Sequence, residues 1–175
     1  MSRWLRLTPV ALLGLLLAAL VWRLAHPEDT TIRSRLAGQP VPAFALPPAL
    51  PSQPGLASAD LATGQPHLVN LFASWCVPCV AEAPVLQQLK RRGAVIDGIA
   101  IRDRPEDLAA FLAASGNPFE RIGADDRSRV QLALGSAGVP ESFVIDGHGI
   151  IRQQHVGAIE PADVPEIFAQ LEQAK

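Results

Sequence analysis

The sequence predicts an α/β domain of three layers, a mixed central sheet with helices on both faces, preceded by an N-terminal transmembrane helix. Three features of the chain point there. From residue 67 onward, short runs rich in Val, Ile, Leu and Phe alternate with longer segments of helical period. Two of the last runs flank Asp146-Gly147-His148-Gly149, a hairpin signal that puts an antiparallel pair beside strand–helix–strand crossovers. At the other end, residues 7–22 carry no charge at all.

Length and charge narrow the function. The 175 residues suffice for one ordinary domain plus an appendage. The 49% hydrophobic content is raised by the N-terminal run. A net charge of −2 and a pI near 6.1 suggest neither nucleic-acid binding nor a strongly charged partner. No internal repeat is present.

Residues 1–25 read as a membrane anchor. Arg3 and Arg6 lead the uncharged run and Arg23 ends it. The run is shorter than the roughly 20 residues that span hydrocarbon. Trp4 and Trp22 bracket it as interfacial anchors, however, about 27 Å apart on a helix. The rival reading is a cleaved signal peptide. Cleavage after Ala25 would set Arg23 three residues upstream, which does not fit a small-x-small site. No cysteine follows to be lipid-modified. Two arginines precede the run, and His26, Glu28 and Asp29 follow Arg23, which favours an inside N-terminus and an exported domain.

Residues 26–38 are polar and read as a tether; the domain proper is residues 39–175. Six prolines in residues 40–54 oppose helix. Phe44 and Leu46 alternate with smaller residues, so residues 40–46 are expected to pack as a strand, with a plain Pro-rich linker as the alternative. The expected elements then follow in order. Residues 68–73 form a strand, 77–92 a helix, 94–101 a strand, and 105–115 a helix opened by Pro105-Glu106-Asp107. Next come a short strand at 119–122 and a helix at 127–134, stopped by Gly135. Strands 142–145 and 150–155 make the hairpin, and a helix at 160–173 closes the domain.

The chemistry lies where the first of these strands meets its helix. Cys76 and Cys79 are the only cysteines, so no other thiol can staple the fold or complete a four-cysteine metal site. At a helix start, free N–H groups and the helix dipole favour an anion, so Cys76 is the candidate nucleophilic thiolate. Pro78 fits the first turn, where its missing N–H costs nothing. Cys79 lies one turn on, near enough to close a small, reducible ring with Cys76. Two inert buried thiols are the bland alternative. His26, His67, His148 and His155 have no metal spacing to the cysteines. A peroxidase would want Thr where Ala73 stands. No metal and no cofactor are expected beyond a redox-active Cys76–Cys79 disulfide.

Trp75-Cys76-Val77-Pro78-Cys79 resembles the active site of the thioredoxin superfamily. Pro84, five residues after Cys79, matches the proline that kinks that family's helix. Val139-Pro140 stands where the family places a cis-proline before a strand. The string Gly138-Val139-Pro140-Glu141-Ser142-Phe143-Val144-Ile145-Asp146 is similar to one branch, the membrane-anchored thiol:disulfide interchange proteins of cytochrome c maturation (CcmG/DsbE type). The similarity runs over about residues 37–175. Two departures stand out. Asn70 occupies the place of the buried aspartate of cytosolic thioredoxins, as it often does in this branch. Ala100-Ile101-Arg102-Asp103-Arg104-Pro105 lacks the branch's aromatic-basic motif.

The resemblance implies a thioredoxin-like fold and a thiol–disulfide oxidoreductase. Cys76 would attack, Cys79 would resolve, and Trp75, Pro78, Val139, Pro140 and Glu141 would shape the site. Glu82 or Glu141 could assist proton transfer. The implied partners are apocytochrome c or a haem-ligation component, and a membrane electron donor of the DsbD/CcdA kind. The implied location is the bacterial inner membrane, crossed once by residues 7–22, with the redox domain in the periplasm. A general periplasmic reductase and a non-catalytic docking module are the alternatives.

Overall fold

A run of six residues with no exposed position, His67–Phe72, forms strand β3 at the centre of the sheet. Burial on both faces explains why it reads as nearly continuous apolar sequence. The computed structural model describes residues 9, 12–19, 21–22 and 36–175. Contacts divide the chain into Met1–Thr30 and Thr31–Lys175. In the first unit, residues 12–19 are helical and exposed. Among the described residues no helix is long and apolar enough to cross a membrane. Arg3, Trp4, Arg6, Arg23 and residues 26–35, on which the anchor and tether expectations rest, lie outside the described residues.

The second unit carries β1 (Ala45–Leu46), β2 (Leu56–Ala57), β3, α1 (Val77–Arg91), β4 (Val95–Ile101), α2 (Pro105–Ser115), β5 (Ile122–Asp125), α3 (Arg129–Ala133), β6 (Glu141–Ile145), β7 (Ile151–Val156) and α4 (Val164–Gln173). The five-stranded sheet has the order β5-β4-β3-β6-β7. β3 and β5 run parallel to β4, while β6 runs antiparallel to β3 and β7. This is the expected mixed sheet of a thioredoxin-like fold.

Alternation along the strands splits the core in two. Leu68, Phe72, Ile96, Ala100 and Val144 face α1, α2 and α4, and the two cysteines belong to this layer. Val69, Leu71, Ile99, Phe143 and Ile145 face α3 and the segment that includes Leu56 and Leu61. Beneath β3 and β4, Asp97 accepts from His67 Nδ1 at 2.7 Å, and His67 Nε2 meets the Thr63 hydroxyl at 3.1 Å. Both members of that pair are buried.

Four expectations need correction. The strand expected at 119–122 lies at Ile122–Asp125. Phe119 instead leaves the sheet edge to stack on Phe72, with ring centroids 4.5 Å apart, and pairing with β4 starts only at Gly98↔Ile122. The helix expected at 127–134 contracts to Arg129–Ala133. The Asp125 carboxylate accepts the N–H groups of Arg129, Val130 and Gln131, so the first turn cannot start earlier. The closing helix starts at Val164, because residues 160–163 are folded as a turn in which Asp163 Oδ2 accepts the Glu160 N–H. In the proline-dense segment only Ala45–Leu46 pairs as a strand, with Leu56–Ala57, while Pro40 makes an isolated bridge to Ile150.

Candidate active site

Three strand ends converge at one edge of the sheet. Phe72 pairs with Ala100, and Leu71 pairs with Glu141. The loop after β3, the loop after β4 and the residues before β6 therefore share that edge. The cysteines follow β3, Arg102 and Asp103 follow β4, and Val139-Pro140 precedes β6.

Cys76 is the N-cap of α1, and Cys79 lies in its first turn. The two are joined in a disulfide, with S–S 2.06 Å and Cα–Cα 5.3 Å. The Cys79 N–H donates to Cys76 Sγ at 3.2 Å. On reduction the same donor, together with the dipole of a 15-residue helix, faces the sulfur that would carry negative charge. Pro78 sits at the second helical position, where no bond is lost, and Pro84 lies within the helix. Both cysteines are buried, while Trp75, Val77 and Val80 around them are exposed.

The loop leading to Cys76 is held from the neighbouring strand. Asp103 accepts the Ser74 N–H and the Ser74 hydroxyl, each at 2.6 Å. The Trp75 indole N–H donates to the Arg102 carbonyl at 3.2 Å. Trp75 is thus tethered at its edge yet 58% exposed. Arg102 adopts a left-handed φ of 46°, a conformation that non-glycine residues seldom hold. The Val139–Pro140 peptide bond is cis.

Two buried carboxylates stand near this edge on different faces of the sheet. Glu82, three residues after Cys79 and so on the same side of α1, lies against Asn70, whose Nδ2 reaches Glu82 Oε1 at 3.3 Å. Asn70 Nδ2 also donates to Ser142 Oγ at 2.9 Å across the β3–β6 pair. Glu82 Oε2 has no partner. Burial pushes the Glu82 pKa from 4.5 up to about 8, only partly offset by the Ile159 amide and the Asn70 amide, which favour the charged form. Glu141 shares the strand parity of Phe143 and therefore the opposite face. Its carboxylate accepts from the Ala137 N–H at 3.1 Å and from Gln154 Nε2 at 2.7 Å.

The structure brings Cys76, Cys79, Trp75, Pro78 and Glu82 into one site around the start of α1. Val139, Pro140 and Glu141 come to the same edge from β6, but with the Glu141 side chain directed away from α1. Sequence reasoning missed Asp103 and Ser142. Asp103 was noted only within the Ala100–Pro105 stretch, with no role assigned to it. Ser142 carried a usable signal, since a polar residue in a fully buried strand needs a partner across it.

The redoxin family pattern matches residues 36–171. The chain is 40% identical over 160 residues to the thiol:disulfide interchange protein DsbE of Pseudomonas fluorescens biotype C, covering 91% of this chain and 88% of the relative. It is 36% identical over 159 residues to the thiol:disulfide interchange protein HelX of Rhodobacter capsulatus, covering 91% and 90%. Among solved structures, a thioredoxin-family thiol:disulfide interchange protein from Chlorobium tepidum superposes with a TM-score of 0.62 at 25% identity, covering 82% of this chain and 99% of that one. The chain therefore belongs to the redoxin family, and within it to the thiol:disulfide interchange proteins of the DsbE and HelX kind.

Proposed function

We propose that the domain reduces disulfides of exported proteins during cytochrome c biogenesis, with the haem-binding cysteines of apocytochrome c as its substrate. In the reduced protein the Cys76 thiolate attacks one sulfur of the partner disulfide. The partner's other sulfur leaves as thiolate, and a mixed disulfide forms. Cys79 then gives up its proton and attacks Cys76 Sγ. The partner is released as a dithiol, and two electrons have left the domain, which ends as the Cys76–Cys79 disulfide. The supporting observation is the buried Glu82 carboxylate, one helical turn from Cys79, with one oxygen unpartnered and a pKa near the working range. These features support Glu82 as the group that takes the Cys79 proton when that sulfur attacks. Glu141, engaged by Ala137 and Gln154, instead holds the loop before Pro140.

An oxidised domain in an oxidising space needs electrons returned to it. A membrane donor of the DsbD/CcdA kind fits that need. The uncharged run at residues 7–22 fits a single anchor in the bacterial inner membrane, with the domain in the periplasm. A Cys79→Ser variant tests the reading, because its mixed disulfide cannot resolve. Recovery of a cytochrome c precursor on Cys76 is the expected result. Recovery of many unrelated exported proteins would replace it with a general reductase, and full function in a Cys76→Ser variant would leave only docking.

A further inference from the structure

We propose that a cleft at the far end of the sheet is a second catalytic site, where Thr63, His67 and Asp97 form a nucleophile–base–acid relay that hydrolyses small carboxylic esters. It lies apart from the disulfide and does not depend on the exchange reading. β3 begins at His67 and its other end leads to Cys76, so about 17 Å of strand separates the two places.

The three side chains touch in sequence. The Asp97 carboxylate accepts from His67 Nδ1 at 2.7 Å, which fixes the proton on that nitrogen and leaves Nε2 as an acceptor. Nε2 lies 3.1 Å from Thr63 Oγ1, within reach of the hydroxyl proton. Burial is graded along these contacts. Asp97 is 1% and His67 5% exposed, while Thr63 is open to solvent. The orienting carboxylate is dry and only the hydroxyl faces a substrate, the order that a hydrolytic triad requires. A buried His–Asp pair is also a costly way to fill a core, since an apolar pair would serve packing as well. His155 gives the contrast, because its Nε2 meets the Ala158 carbonyl and the Asp163 carboxylate rather than a hydroxyl.

The cleft encloses about 410 Å³ and is lined by the three relay residues with Pro54, Val95 and Arg121. That volume suits short acyl groups. The Gly64 N–H donates to the Gly147 carbonyl at 2.9 Å, and a Cβ at Gly147 would meet the Gly64 backbone at 2.5 Å. The loop that carries Thr63 is thereby pressed against the turn before β7, which holds the hydroxyl in place. In the reaction Thr63 Oγ1 attacks the ester carbonyl, and its proton passes to His67 Nε2. Arg121 is the cation in the cleft for the oxyanion that forms. The bond to the alcohol oxygen then breaks, and the alcohol leaves with the proton from Nε2. Water attacks the acyl-threonine by the same steps, releasing the acid and restoring the hydroxyl. No oxidant or reductant is consumed.

The test uses the full-length protein with Cys76 and Cys79 oxidised, so that no thiolate attacks the ester, and p-nitrophenyl acetate as the probe. We expect p-nitrophenol release above the spontaneous rate, and a loss of at least about tenfold of that excess in Thr63→Ala. Thr63→Ser should restore it. After an acid quench the acetyl group should be found on Thr63. Asp97→Asn should lower kcat and leave KM unchanged, because the wrong His67 nitrogen then carries the proton. Unchanged reduction of the distant disulfide by a small dithiol shows that a variant is folded. If Asp97→Asn fails that check, the exposed Thr63→Ala decides alone. No excess in the parent, an excess that survives Thr63→Ala, or acetyl found on Lys90 or another surface amine instead of Thr63 would overturn the proposal.

Discussion

Glu82 and Glu141 are both almost wholly buried and both sit at the disulfide edge of the sheet, yet the protein treats them in opposite ways. Glu141 has donors on both oxygens, one from the backbone before Pro140 and one from β7. Glu82 has only a long bond from Asn70 and the influence of the Ile159 amide, too little to offset its burial, and its Oε2 has no close partner. A saturated carboxylate is a structural tie. An unsaturated one costs stability whenever it is charged, and proteins keep such groups where a proton must move. The sheet separates the two, so the face bearing the cysteines is the one that carries the unsatisfied group.

The largest expected effect is on stability against pH. The Glu82 pKa is raised from 4.5 to about 8 in the folded chain. Above pH 4.5 the unfolded chain sheds this proton while the folded one keeps it. The group's contribution is therefore complete below about pH 4.5 and is lost as pH rises to about 8. The loss is on the order of 4 kcal/mol. Urea unfolding of wild type and Glu82→Gln at pH 5 and pH 8 should show a much flatter dependence in the variant. Equal slopes would erase the contrast between the two carboxylates.

Next in size is the chemistry. Without its proton acceptor, Cys79 should release a mixed disulfide on Cys76 about 100-fold more slowly in Glu82→Gln. Rapid-mixing kinetics with a model disulfide would show this in the release step. If the loss fell equally on the initial attack by Cys76, Glu82 would be shaping the site rather than moving a proton. Glu141→Ala should do the reverse, costing about 2 kcal/mol of stability by stranding two donors. A lowered urea midpoint with an unchanged slope is the signature. Smallest is Ser142→Ala, which removes one of the two acceptors of Asn70 Nδ2 and should cost about 1 kcal/mol. A double-mutant cycle of Ser142→Ala with Glu82→Gln should give a coupling of about 0.5 kcal/mol or more. Strict additivity would mean that Asn70 does not link them.

What could be read from the chain was whatever is local. The Cys-x-x-Cys, Pro78 in the first turn and the turn around Gly149 all encode their geometry within a few residues, and each lies where the spacing put it. The α2 limits, Pro105–Ser115, matched the expectation because Pro and Gly punctuate them in sequence. What escaped was set across the fold. Phe119 carried strand propensity, but the open space over Gly98 drew its ring onto Phe72; a Cβ at Gly98 would meet the Phe72 ring at 2.8 Å. The Asn70–Glu82–Ser142 cluster joins three elements, two of its members lying 72 positions apart in the chain. The two carboxylates could be named from sequence, but only the strand register separates them onto two faces.

The bond pair from Asp103 to Ser74 carries a consequence for engineering. The reactive loop is fastened to a residue 29 positions downstream, at the tip of a different strand. Grafting the five residues Trp75 to Cys79 into another scaffold would move the sulfurs without their mooring. A faithful transplant has to carry Ser74 and the Arg102-Asp103 corner along with them.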